Sequence, residues 1–204
     1  MSTARTLHEM PFTRIELAVL GLVDGHLCVL LGKRTQDPHA GRWALPGGVL
    51  RIDKDEDLEG AVQRTARERL NAELPFVRQL VTVGSKGRDV DRAPWALAIV
   101  YRAMLPIRSF KPLAGKRLEE LRWVRVEAAA ADPKLAFDHT RLVAMAAEAT
   151  RSETEQLVLP AGFLPDTFTL GELQLTCEQI LGRSLDKSSF RHSGACFWGQ
   201  WADF

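Results

Sequence analysis

Residues 45–74 read LPGGVLRIDKDEDLEGAVQRTARERLNAEL, and this stretch decides the fold. It opens with a Pro-Gly-Gly turn and continues into an acidic run at residues 53–57. From about Glu56 to Leu70, apolar residues recur at helical spacing among charged ones. Because the helix dipole favours anions at a helix start, the acidic run suits the beginning of this helix. The stretch therefore predicts a loop followed by an amphipathic helix that begins near Glu56.

Outside this stretch, several segments have the runs of apolar residues that are typical of β-strands. Residues 14–34, RIELAVLGLVDGHLCVLLGKR, predict a hairpin, because Asp24-Gly25 between apolar runs favours a type I′ turn. Further strands are predicted at residues 43–45, 76–84, 95–105 and 121–126, and a second long helix at about 137–155. Strands that alternate with only two substantial helices indicate a mixed α/β layered domain.

A smaller module follows the second long helix. Thr169 and Glu172 have the spacing of a capping box, and Gly182 suits the helix stop after an apolar stripe. A further short helix is predicted near Asp186, whereas the final HSGACFWGQWADF has no clear period. The sequence is therefore divided into an N-terminal tail at residues 1–12, a first domain at residues 13–158 and the module at residues 159–204.

Composition indicates a soluble globular protein of a reducing cytoplasm. The three cysteines are far apart and lack Cys-x-x-Cys spacing, so neither a disulfide framework nor a zinc site is expected. No run approaches the ~20 apolar residues of a membrane span, and no membrane partner is expected. Residues 1–150 carry a net charge of +4 and residues 151–204 a net −3. DNA binding by the C-terminal part must therefore overcome its acidity.

The stretch at residues 45–74 resembles the Nudix box, Gly-x5-Glu-x7-Arg-Glu-aliphatic-x-Glu-Glu-x-Gly-aliphatic. With Gly48 and Glu56 as the first glycine and glutamate, the match requires two extra residues between them, and Arg64 then occupies the arginine position. With GRWALPGG and the hairpin upstream, the resemblance covers most of residues 13–150. It implies an α/β protein of the Nudix type, a mixed-sheet α/β/α sandwich.

The chain departs from the box at the residues that bind metal. In the family, three glutamates on one helical face hold Mg²⁺ against a pyrophosphate, and here those positions are Thr65, Glu68 and Arg69. Efficient Mg²⁺-dependent hydrolysis is therefore not expected, and no cofactor is required. Glu68 and Glu56 remain the candidates for a residual catalytic or metal-binding role. Glu68 also fits a plain interpretation, an ordinary helical ion pair with Arg64.

A nucleotide-like ligand would be bound by cationic side chains and exposed backbone around the box. The candidate ligand-binding residues are Arg34, Arg42, Gly47, Gly48, Arg64, Arg69 and Arg88, and Lys33 and Arg92 also lie in or beside predicted loops. Arg69 could hold diphosphate oxygens with two parallel hydrogen bonds, although a surface arginine is the plain alternative. His139 and His192 lack partner ligands nearby in the sequence and are expected to be surface or capping residues.

The phrases LAFDHTRLV, LPDTFTLGELQ and ILGRSLDKSSFR cover roughly residues 135–191. They resemble the Nudix-related transcriptional regulators of NAD metabolism. That resemblance implies a first domain that binds ADP-ribose-like ligands and a C-terminal winged helix that binds DNA, here through Lys187 and Arg191. In the family a two-stranded wing follows, whereas only 13 residues follow Arg191. We therefore expect a small winged-helix-like module with a truncated wing.

These observations favour a catalytically degenerate sensor that binds a nucleoside diphosphate and acts on DNA as a homodimer. One alternative is a Nudix phosphohydrolase in which Glu56 and Glu68 combine with Asp89 or Asp91 into a Mg²⁺ site. The other is an oligomerisation paralogue without DNA binding. The aromatic residues that could pack across an interface are Phe197, Trp198, Trp201 and Phe204.

Overall fold

The structure is a computed structural model that describes residues 11–89, 92–160, 163–165, 167–188 and 190. Its strands are β1 (Phe12–Val23), β2 (His26–Arg34), β3 (Trp43–Ala44), β4 (Gly47–Val49), β5 (Arg78–Ser85), β6 (Ala96–Met104) and β7 (Leu118–Arg125). Its helices are α1 (Leu58–Leu70), α2 (Val126–Ala130), α3 (His139–Glu155) and α4 (Leu170–Leu181). Within these ranges no helix is long and apolar enough to cross a membrane.

The strands form one mixed sheet in which β1 is central. The strand order is β3-β2-β1-β6-β5, with β4 paired to β1 and β7 paired to β2. β1 runs parallel to β6, whereas its pairings with β2 and β4 are antiparallel. Alternate side chains of β1 enter two cores: Ile15 and Leu17 pack with α1, whereas Ala18 and Leu20 pack with α3. The expected α/β/α sandwich is confirmed.

Local chemistry determines both ends of α1. The helix begins at Leu58 rather than near Glu56, because the side chain of Asp57 caps it and accepts the N–H of Gly60 at 2.7 Å. It ends at Leu70, and the C-cap residue Asn71 has a φ of 48°, in the left-handed region that is common after a helix end. The acidic residues before Asp57 therefore belong to the loop that leads into the helix.

The remaining elements confirm most of the sequence pattern. The hairpin turns at Asp24-Gly25 with φ values of 48° and 76°, as a type I′ turn requires. Two short elements were not predicted. Gly47–Val49 forms β4 although glycine is rare in strands, and Val126–Ala130 forms a helix too short to produce a helical period.

The first helix of the C-terminal module packs into the core of the first domain. Ile180 of α4 is fully buried in the same apolar cluster as Leu142 of α3. Nε of Arg151 donates to the carbonyl oxygen of Ile180 at 3.3 Å, and Arg183 forms an ion pair with Glu155 at 2.8 Å. The helix that begins the module is thus fastened to the last helix of the domain.

Two leucine-sized residues of α4 test this shared core. Ile180 is 0% exposed and Leu175 is 53% exposed, so truncation of the first leaves a cavity and truncation of the second does not. We expect Ile180→Ala to lower the free energy of unfolding by about 2–5 kcal/mol, and Leu175→Ala to change it by less than about 1 kcal/mol. Urea denaturation followed by circular dichroism measures both. A wild-type midpoint for Ile180→Ala would contradict a common core.

Candidate functional site

A small cleft opens between the β1–β4 pair and the C-terminal end of α1. Five of its lining residues are arginines, Arg14, Arg34, Arg69, Arg92 and Arg117, and the lining also includes Gly47, Gly48 and Asp37. Asp37 is the single acidic residue among the described residues that line it. Its five guanidinium groups favour an anionic ligand.

Arg69 joins two walls of this cleft. The residue is 7% exposed, its Nε donates to the carbonyl oxygen of Gly47 at 2.6 Å, and its Nη1 donates to that of Lys116 at 2.8 Å. The loop that contains Lys116 also closes the helix end, since the backbone N–H of Gly115 donates to the carbonyl oxygen of Arg69 at 2.9 Å. The alternative that Arg69 is an ordinary surface arginine is therefore wrong.

The face that binds Mg²⁺ in the Nudix box does not fit the ion here. Thr65 is buried, and a Cβ atom at Gly48 would lie 3.0 Å from its Oγ1. Glu68 faces Arg64, with 3.5 Å between Oε2 and Nη1, and Glu56 lies exposed before α1. Across the described residues, no group of three His, Cys, Asp or Glu side chains is placed to hold a metal ion. Mg²⁺ requires several oxygen ligands, which this donor set does not supply.

A buried carboxylate lies behind the cleft. Glu16 is fully buried, and its Oε1 accepts a hydrogen bond from Nε of Arg14 at 2.6 Å. A Cβ atom at position 47 would lie 1.9 Å from Oε2 of Glu16, so only glycine allows β4 to approach β1 this closely. Oε2 of Glu16 has no hydrogen-bond partner and lies 3.9 Å from Nε2 of His139.

His139 is a buried structural residue, and the expectation of a surface role was wrong. It is 1% exposed, and its Nδ1 accepts the backbone N–H of Leu45 at 2.9 Å. Burial lowers the pKa of His139 to about 3, and the nearby guanidinium group of Arg14 acts in the same direction. The imidazole is therefore neutral at physiological pH, and its Nε2 carries the proton that points towards Glu16.

The cleft carries positive charges that repel one another. Burial, together with the guanidinium groups of Arg14 and Arg92, lowers the pKa of Arg34 to about 10. Asp89 partly compensates: it is 5% exposed, neither of its carboxylate oxygens has a hydrogen-bond partner, and its Oδ1 lies 4.0 Å from Nε of Arg92. An anion in the cleft would relieve this repulsion, because an opposite charge stabilises the protonated guanidinium.

The structure brings only some of the predicted ligand-binding residues together. Those that line the cleft are Arg34, Gly47, Gly48 and Arg69. Arg64 donates to both carboxylate oxygens of Asp55, at 2.6 and 2.8 Å, and so holds the loop before α1. Arg88 forms an ion pair with Asp138, and Arg42 is exposed outside the lining. For these three arginines, ligand binding stays a prediction.

Two cleft residues, Arg14 and Arg117, were missed by the sequence analysis. Arg14 left a signal, because RIEL places it on the same face of a strand as Glu16, and paired charges in a buried strand are uncommon. Arg117 left none, since only the loop packed against α1 brings it to the cleft.

The predicted contacts of the module with DNA can be located only in part. Lys187 is exposed in a helical turn after α4. Arg191, the expected wing and the aromatic residues proposed for an interface lie outside the described residues, as does Asp91. Their predicted roles remain predictions.

Substitution of Arg69 tests its place in the structure. Arg69→Met removes the donor from two part-buried hydrogen bonds, to the carbonyl groups of Gly47 and Lys116, and we expect a loss of about 1–3 kcal/mol of stability. Arg67→Met removes the same charge from an exposed pair with Glu73, and it should cost no more than about 1 kcal/mol. Urea denaturation of both variants makes the comparison. Equal stability of the two variants would mean that Arg69 does not hold the cleft walls.

Family comparisons cover both parts of the chain. The family model of the NUDIX domain matches residues 13–146, and that of the NrtR DNA-binding winged helix domain matches residues 160–194. The ADPR responsive transcriptional repressor NtrR of Acinetobacter baylyi is 31% identical over 184 residues, which is 90% of this chain and 72% of that protein.

Two solved structures are similar along the same regions. The crystal structure of Shewanella oneidensis NrtR complexed with a 27mer DNA has 30% identity and a TM-score of 0.74, over 88% of this chain and 80% of that one. The NUDIX domain of the same protein complexed with ADP ribose has 29% identity and a TM-score of 0.63, over 70% and 90%. The chain therefore belongs to the Nudix family, among the proteins that join a NUDIX domain to an NrtR-type DNA-binding winged helix domain.

Proposed function

We propose that this protein is a transcriptional repressor that responds to ADP-ribose or a closely similar nucleoside diphosphate. The observation that carries the proposal is the cleft, in which arginines surround the face that holds Mg²⁺-binding glutamates in the Nudix box. The similarity to an ADPR responsive repressor, and to proteins crystallised with ADP ribose and with DNA, supports the same ligand and output. A protein that acts on DNA in this way would work in the cytoplasm, as a homodimer on a palindromic site.

Two cleft arginines are held in place before any ligand arrives. Nε of Arg34 donates to the carbonyl oxygen of Pro38 at 2.9 Å, and its Nη2 donates to that of Gln36 at 3.2 Å. Nη2 of Arg92 donates to the carbonyl oxygen of Asp37 at 3.0 Å. Because these side chains are already ordered by one loop, binding a diphosphate costs less conformational entropy. The remaining N–H groups of both residues are suited to phosphate oxygens.

The same residues would bind the ligand without cleaving it. Hydrolysis by a Nudix enzyme requires a metal ion that polarises the pyrophosphate and activates water. The hydrolase alternative needs Glu56 and Glu68 close to Asp89 or Asp91. The described residues, which include Asp89 but not Asp91, contain no such cluster. Mg²⁺ is therefore not part of the proposed function.

Ligand binding is tested by removing the two ordered arginines one at a time. Arg34→Gln and Arg92→Gln each remove charge-assisted hydrogen bonds of ~1.5–3 kcal/mol, so we expect a roughly 10- to 150-fold weaker affinity for ADP-ribose by calorimetry. Arg67→Gln, an exposed arginine of α1, is the matched control for net charge and should bind like the wild type.

The same titration examines the role of metal. Affinity should be equal in EDTA and in Mg²⁺, and ADP-ribose should be recovered intact after incubation with either. Metal-dependent turnover at the ~1 to 10³ per second of ordinary enzymes would favour the hydrolase alternative.

DNA binding is tested through its dependence on salt. The last 36 residues, 169–204, have three basic and four acidic residues, so we expect weak binding to random DNA and useful affinity only for a palindromic site. On DNA from the protein's own upstream region, Lys187→Gln and Arg191→Gln should each lower the slope of log affinity against log salt by roughly one per phosphate contact and chain. Fluorescence anisotropy measures the slope, and Lys54→Gln, in an exposed loop of the first domain, should leave it unchanged. A folded dimer that binds no DNA at low salt would support the oligomerisation paralogue instead.

A further inference from the structure

Phe137 lies where the cationic cleft meets the start of α3. The guanidinium carbons of two cleft residues, Arg14 and Arg34, lie over its ring at 5.4 and 5.1 Å from the ring centroid. Both distances are within the range of cation–π interactions. The edge of the His39 ring also contacts Phe137, with 4.7 Å between the ring centroids. The His139 ring is also near Phe137, with 5.3 Å between the ring centroids. Of these contacts, the two guanidinium groups are the ones that also line the cleft.

The backbone of Phe137 is in an unfavourable conformation. Its φ is 56°, in the left-handed region that an aromatic residue rarely adopts. Such strain persists only where neighbouring contacts impose it, and it is common at ligand clamps and switch regions. The next two residues are fixed, since Asp138 forms an ion pair with Arg88 and His139 accepts the N–H of Leu45. The position of the Phe137 ring is thus tied to the first turn of α3.

Helix α3 connects this position to the C-terminal module. It has 17 residues, which corresponds to about 25 Å. Near its far end, Arg151 donates to the carbonyl oxygen of Ile180 and Glu155 pairs with Arg183. Leu142, close to its start, shares the apolar cluster that contains Ile180. A change at the start of a packed helix cannot be absorbed gradually, because packed cores allow few alternative arrangements.

We propose that Phe137 couples occupancy of the arginine cleft to the position of α4 and hence to DNA binding; this inference rests on the proposed function. A diphosphate in the cleft competes with the Phe137 ring for the guanidinium groups of Arg14 and Arg34. A phosphate that neutralises these guanidinium groups weakens their attraction to the ring, and the contacts that hold Phe137 in its left-handed conformation are loosened. The start of α3 then relaxes, and α4 moves with the helix to which it is fastened.

The coupling is measured as a ratio of affinities. ADP-ribose is titrated by fluorescence into the free protein and into the protein bound to its upstream DNA. Typical allosteric coupling changes affinity 5- to 150-fold, and by linkage the ligand changes DNA affinity by the same factor. The ratio is the affinity of the free protein for ADP-ribose divided by the affinity of the DNA-bound protein. In the wild type we expect this ratio to lie between about 5 and 150.

Two substitutions of Phe137 distinguish the effect of the aromatic ring from the effect of side-chain volume. Phe137→Leu keeps an apolar side chain but removes the cation–π contacts, and the ratio should fall to within about twofold of one while both ligands still bind separately. Phe137→Tyr keeps the ring face and should preserve the wild-type ratio. A wild-type ratio in Phe137→Leu would overturn the inference and leave the proposed function intact. A wild type that binds neither ADP-ribose nor DNA would overturn the proposed function itself.

Hydrogen exchange on the wild-type protein provides a measurement that needs no variant. ADP-ribose should change amide protection at the start of α3 and along α4, in addition to the cleft. Changes confined to the residues that line the cleft would overturn the proposed route even if Phe137→Leu fails to fold.

Discussion

The guanidinium group of Arg69, between the carbonyl oxygens of Gly47 and Lys116, is the interaction on which the site depends. It lies at the C-terminal end of α1, where the helix dipole favours a cation. It also joins β4 to the loop between β6 and β7, and these two segments form opposite walls of the cleft. A glutamate at this position would need water and a metal ion, whereas arginine closes the face with hydrogen bonds. The arginine that replaces a metal ligand at position 69 is therefore also the residue that joins the walls of the cleft.

The helix that begins the C-terminal module, α4, is packed into the core of the first domain. Because Ile180 is packed with α3, the module that begins with α4 is not an independent body on a flexible linker. Energetic coupling between distant sites requires an element that both of them contact. Helix α3 meets this requirement, since it starts beside the arginines and ends beside Arg183.

The sequence predicted features that depend on local chemistry and missed those that depend on distant contacts. The capping box of Thr169 and Glu172 was predicted, because neighbouring residues alone determine it. The loss of metal-binding glutamates was also predicted, since it depends only on the spacing of three residues in one helix. His139 could not be placed from the sequence, because its partner Leu45 is 94 residues away.

The same limit applies to the candidate site. Glycine at positions 47 and 48 indicated a turn, and only the nearness of Glu16 shows why a side chain is excluded at Gly47. Arg64 and Arg69 looked alike in the sequence as cations of one helix. One faces Asp55 and the other faces the cleft, a difference fixed by the loops that pack against each side. Local patterns identify the type of a charged residue, whereas the tertiary fold decides its partner.

The crowding of guanidinium groups in the cleft has a consequence for selectivity. Five arginines with few acidic neighbours attract any small multivalent anion, and not only a nucleoside diphosphate. Inorganic phosphate and sulfate therefore compete with the ligand by mass action, and the apparent affinity reflects the ratio of ligand to background anion. Discrimination must then come from the neutral parts of the ligand, which reach beyond the charged walls. If the proposed function holds, occupancy of the cleft would therefore depend on the concentration of the ligand relative to the concentration of inorganic phosphate.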